Sequence, residues 1–183
     1  GKLVIVAQCY HGGTGLDFCL ARFSANGELD PTFGSAGLVF TDISIYDDIP
    51  RALVVQPDGK ILVAGSCSDT FCLARYNANG VLDATFGSSG TVIVFSGGTN
   101  IGRALALLHD GRIVIAGECF FGGWDFCLSR LSANGALDTS FGSSGRVVTP
   151  IGSNSNSDIA RALALQPDGK LVVAGYCWNG TKN

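Results

Sequence analysis

The stretch "DGKILVAGSCSDTFCLARYNANGVLDATFGSSG", residues 58–90, decides how the chain is read, because it occurs more than once. Its opening returns as "GKLVIVAQC" (1–9), "DGRIVIAGEC" (110–119) and "DGKLVVAGYC" (168–177). Its remainder returns as "DFCLARFSANGELDPTFGSAG" (17–37) and "DFCLSRLSANGALDTSFGSSG" (125–145). Gly1, Gly59, Gly111 and Gly169 mark the same point in each copy, with periods of 58, 52 and 58 residues. The units are therefore 1–58, 59–110 and 111–168, and residues 169–183 start a fourth. Self-similarity at such a period marks a repeat architecture, in which each unit buries its apolar surface against its neighbours.

Spacing separates framework from loop. From the Lys or Arg after each of these glycines to the first cysteine is always 7 residues, and from the second cysteine to Arg22, Arg75 or Arg130 always 3. Length changes only between the paired cysteines (10, 5 and 8) and between the glycine ending "FGSxG" and the next Arg-Ala-Leu (14, 13 and 16), so those stretches are loops. Each unit resolves into about four short strands. "RALVV" or "RALAL" runs into a Pro-Asp-Gly or His-Asp-Gly turn, whose glycine supplies positive φ. "KILVAG" follows, almost wholly apolar, as in a strand covered on both faces. "FCLARY" ends at an Asn-Gly turn, and "LVFT", "TVIV" or "RVVT" supplies the fourth strand. The intervening "LDxxFG" is a tight turn in which Asp30, Asp83 and Asp138 cap backbone amides. Four antiparallel strands per unit predict an all-β chain built as a β-propeller-like array; a β-solenoid would have shorter rungs and parallel strands. The unit 1–58 lacks its first strand, and the chain stops after a second strand. It is therefore expected to form an open arc, a piece of something longer, whose edges pair with further repeats or with copies of itself.

"RALALQPDGKLVVAG" together with "DFCLARFSANGELDPTFGSAG" resembles the delta-60 repeat of bacterial propeller proteins. The resemblance covers the whole chain. It implies a propeller from a large, often exported or surface-associated bacterial protein, with no catalytic activity common to the family. The cysteines depart from the family pattern, which has small residues such as Ser, Ala or Thr in their places.

Composition excludes several functions. A net charge of −3 with singly scattered Lys and Arg offers no footprint for nucleic acid. Every apolar run is broken well short of the roughly 20 residues of a membrane-spanning helix. The two histidines, His11 and His109, fall in turns, so no catalytic cluster is expected. "HGGTG" (11–15) lacks the strand-to-helix setting of a phosphate loop. No acidic run has EF-hand spacing, and only the Asp-Gly turns offer weak calcium contacts, so neither metal nor cofactor is expected. Arg51, Arg103 and Arg161, each three residues after Asp48, Asn100 or Asp158, recur in every unit and read as structural ion pairs or turn caps.

Two features remain. The pairs Cys9 with Cys19, Cys67 with Cys72 and Cys119 with Cys127 stay fixed to their strands while the loop between them varies, which a metal or redox motif of defined spacing does not tolerate. Opposed positions on antiparallel strands predict three disulfides, with Cys177 unpaired or intermolecular, and hence an exported or cell-surface protein. The plainer alternative is thiols filling small core places. Tyr10, His11, Phe120, Phe121, Trp124, Tyr176 and Trp178 depart from the repeat and are the candidate binding rim. The expected function is a noncatalytic extracellular module with structural, self-assembly or binding roles toward protein, glycan or its own copies. The alternative is a carbohydrate- or small-molecule-processing propeller whose catalytic groups lie outside this chain.

Overall fold

The computed structural model describes residues 1–12, 15–94, 98–151 and 157–177; Trp178 lies outside them. The described residues form strands joined by turns, with no helix among them. The strands are β1 (Leu3–Tyr10), β2 (Leu16–Phe23), β3 (Leu38–Thr41), β4 (Asp48–Val55), β5 (Ile61–Cys67), β6 (Thr70–Tyr76) and β7 (Thr91–Ile93). They continue as β8 (Asn100–Leu107), β9 (Ile113–Phe120), β10 (Trp124–Leu131), β11 (Arg146–Thr149), β12 (Ile159–Leu165) and β13 (Leu171–Tyr176). They pair in sequence order as four antiparallel sheets, β1-β2-β3, β4-β5-β6-β7, β8-β9-β10-β11 and β12-β13. The chain is an all-β propeller whose sheets do not close into a ring. Each sheet runs one strand ahead of the units counted from the glycines, because the Arg-Ala-Leu strand pairs with the apolar strand that follows it.

Successive sheets stack through three apolar layers. Phe18, Leu20 and Phe33 meet Ile61, Val63 and Tyr76 between the first two sheets. Leu62, Phe71, Leu73 and Phe86 meet Ile113, Ile115 and Leu131 between the second and third. Ala104, Val114, Ala116 and Leu128 meet Leu163, Leu171 and Val173 at the last junction. Both faces of β5 and β9 are thus covered, which is why they run apolar from their starts to their glycines rather than alternating. The first strands β4, β8 and β12 touch one another in succession and line the inner side of the array, as their small alternating residues predict.

Each first strand carries a bulge at its arginine, Arg51, Arg103 or Arg161. The bulge pushes the preceding carbonyl toward the second strand. A Cβ on Gly65 would lie 2.1 Å from the Ile49 carbonyl oxygen, and one on Gly117 1.9 Å from that of Ile101, which explains glycine at these positions and at Gly175, while β1, which has no such first strand beside it in its sheet, carries Ala7.

Candidate functional site

An antiparallel sheet returns the chain to the same two ends. The tips between second and third strands, together with the connections from fourth strands to the next first strands, make a loop end; the Asp-Gly and Asn-Gly turns and the "LDxxFG" segments make a turn end. The two ends are built differently.

The turn end repeats one device three times. Asp30 accepts from Arg22 Nε at 2.8 Å and Lys2 Nζ at 2.7 Å; Asp83 accepts from Arg75 and Lys60, and Asp138 from Arg130 and Arg112. The second oxygen accepts from the hydroxyl and amide of Thr32, Thr85 or Ser140. These donors, led by Lys2, Lys60 and Ser140 respectively, hold the three carboxyls well below the usual range. The aspartates do cap an amide as expected, but their main partners are cations. Each arginine also lies 4.5 Å over a phenylalanine ring, Phe33, Phe86 or Phe141. Arg22 and Arg75 then donate to Ala78 and Ala133 carbonyls of the following sheet. The Asn79-Gly80 turn docks so closely there that a Cβ on Gly80, already at φ +88, would press within 2.9 Å of Phe33. This end is a latch between neighbouring sheets.

At the loop end, disulfides join Cys9 to Cys19, Cys67 to Cys72 and Cys119 to Cys127, with Cα–Cα distances of 6.0, 5.7 and 5.9 Å; Cys177 is free and exposed. The cysteines do not stand directly opposite, as the sequence reading has it. Cys67 faces Thr70 and Cys72 faces Gly65, so each bond runs diagonally across the pair, along the diagonal that strand twist shortens.

The residues three before each arginine cap the loop. Asp48 accepts from the Ile43 and Ser44 amides at 2.6 and 3.1 Å, and Asp158 from the Ile151 amide at 2.7 Å. Burial pushes the Asp48 carboxyl upward against these hydrogen bonds. None of the three is an ion-pair partner of its arginine. The bulge aims the arginines elsewhere, and Arg103 instead grips Glu118, buried on β9. Burial together with Arg103 lowers the Arg51 guanidinium, while Glu118 opposes that shift.

The position before each first cysteine holds Gln8, Ser66, Glu118 or Tyr176, the one place between the Lys or Arg and the cysteine that is not filled by an aliphatic residue or glycine. Tyr176 therefore sits on β13 beside Arg161, 5.4 Å from its guanidinium, and not on a hairpin tip. The tips bring Phe120 edge-on to Trp124 at 5.5 Å and stack His11 on Phe40 at 4.1 Å. Tyr10 and Phe121 are exposed beside them. A cavity of about 470 Å³, lined by Tyr46, Asp47, Ile49, Ser66, Ser68 and Asp69, opens beside the shortest tip. Ser68 and Asp69 hold positive φ (46° and 61°) in the two-residue turn, a conformation that disfavours side chains, and the disulfide clamps it. The Ser66 hydroxyl on its wall is buried without a hydrogen-bond partner among the described residues.

Tyr46, Ser66 and Glu118 were not singled out from the sequence; comparing the column before each first cysteine would have found the latter two. The fold and this division of its ends define a β-propeller repeat protein. The chain belongs to the family described as "Domain of unknown function (DUF5122) beta-propeller", which matches residues 1–33, 56–86, 109–141 and 166–183. No curated protein matches it.

Proposed function

We propose that this chain is a noncatalytic propeller module of the delta-60 repeat type, from an exported bacterial protein, that binds through its loop end. One observation carries the reading: side chains that depart from the repeat gather at the loop end, among them Tyr10, Tyr46, Ser66, Phe120 and Trp124, whereas the turn end repeats its latch. Three disulfides suit an oxidising compartment. Exposed aromatics beside a polar cavity suit a glycan or a protein loop, and the open sheets offer edges to further repeats or copies of the chain. The test is a panel of immobilised glycans probed with the full chain, Trp124→Ala and, as a turn-end control, His109→Ala. Binding abolished by Trp124→Ala and kept by His109→Ala supports the reading. Binding indifferent to Trp124, or release of a cleaved glycan, contradicts it.

A further inference from the structure

Three carboxylates from three separate elements converge where the first two sheets meet. Asp17 stands near the start of β2, Asp42 directly follows β3 and Asp48 opens β4, and one oxygen from each lies within 4.8 Å of the others. Asp48 is fully buried and Asp17 is 3% exposed. Among the described residues, neither is ion-paired, and no hydrogen bond or ion pair engages the Asp17 side chain. Holding an unpartnered carboxylate out of water beside two others costs several kcal/mol unless a positive charge accompanies it.

The chain provides its own control. At the next junction the positions of Asp17 and Asp48 are Thr70 and Asn100, and that of Asp42 is Phe95. Thr70 there donates to the Cys67 carbonyl and Asn100 to the Gly98 carbonyl. An apolar layer forms there as at the first junction, with no carboxylate at either Thr70 or Asn100. The third junction returns Asp125 and Asp158 but has Pro150 at the position of Asp42, so the full set of three occurs once and is not required by the fold.

We propose that Asp17, Asp42 and Asp48 bind a calcium ion between the first and second sheets. The donors are all hard oxygens, with no imidazole or thiolate, which excludes the preferences of zinc and copper. Calcium accepts six to eight oxygens in a flexible shell, as three carboxylates from three separate elements with added water would supply, whereas magnesium demands a near-ideal octahedron and keeps most of its own water. Exposed Asp42 leaves an entry path and room for water to complete the shell. The inference stands independently of the glycan or protein bound at the loop tips.

The test is calorimetric titration of the chelator-treated full chain with calcium, alongside its thermal melt. One ion per chain is expected, with a Kd of roughly 10 µM to 1 mM, and a melting temperature that rises with calcium. Asp17→Asn and Asp42→Asn should each weaken binding by about tenfold or more without lowering the melting temperature measured in chelator. The double variant Asp17→Thr with Asp48→Asn, which copies the neighbouring junction, should fold and ignore calcium. Absence of heat and of a melting shift in about 10 mM calcium, magnesium binding as tightly, or unchanged calcium affinity in Asp17→Asn and Asp42→Asn each overturns the proposal.

Discussion

The two ends of each sheet meet the same need, tying neighbouring segments together, with different chemistry. At the loop end a disulfide joins second and third strands; at the turn end an arginine pairs with an aspartate eight residues on and reaches into the following sheet. A disulfide leaves the loop between its cysteines free to vary, and that loop does vary from 5 to 10 residues in cysteine separation. The ionic latch depends on the geometry of every residue from the arginine to the phenylalanine, so its spacing never changes. Covalent closure at one end is what permits diversity there, and diversity is what a binding surface needs.

Breaking the latch should have the largest effect. Arg75→Ala leaves buried Asp83 with only Lys60 and Thr85, uncovers Phe86 and removes the bond to Ala133, and should cost about 3 kcal/mol in urea denaturation. Arg130→Ala should cost about 1 kcal/mol, since Asp138 and Phe141 are only partly buried and no bond to a following sheet is seen among the described residues. Opening the other end should cost less than Arg75→Ala. Cys67→Ala with Cys72→Ala removes roughly 2 kcal/mol by releasing a short loop of the unfolded chain, and a reductant, which opens all three bonds, should cost the parent protein more than that.

Acidity should distinguish the ends by sign. Asp30, Asp83 and Asp138 have folded pKa values below the unfolded one, so their stabilisation is present above the unfolded value, near pH 4, and lost as pH falls below it. Asp48 and Asp125 are raised, chiefly by burial, so their contribution is present below pH 4 and is lost as pH rises through their folded values. Denaturation in chelator from pH 7 to 3 should show net loss of stability on acidification, steeper in Asp48→Asn, which lacks the opposing gain. The smallest effect should be Trp124→Ala, which costs under about 1 kcal/mol because its ring is not fully buried, while removing loop-end binding.

Most of the fold was legible because the chain repeats, so strands, turns and loops could be separated by which spacings hold. The pairing of cysteines followed from the same test, but the diagonal register did not, since it depends on twist. Arg22 and Asp30 were both visible as constant residues; that they meet requires the geometry of the Asn-Gly turn between them. Of the two roles open to Asp48 and Asp158 in the sequence, the structure has the turn cap, because the bulge at Arg51 and Arg161 breaks the register that an ion pair three residues apart would need. Asp17, Asp42 and Asp48 belong to no linear motif, and only their joint replacement in the next unit would have linked two of them.

The central claim is that the loop end is closed covalently while the turn end is not. Alkylating the unreduced protein under denaturing conditions and weighing it intact tests this directly. One label, on Cys177, is the predicted result for the monomer, or none where Cys177 joins two chains. Seven labels, one for each cysteine of the chain, would contradict the three bonds and, with them, the exported character drawn from their presence.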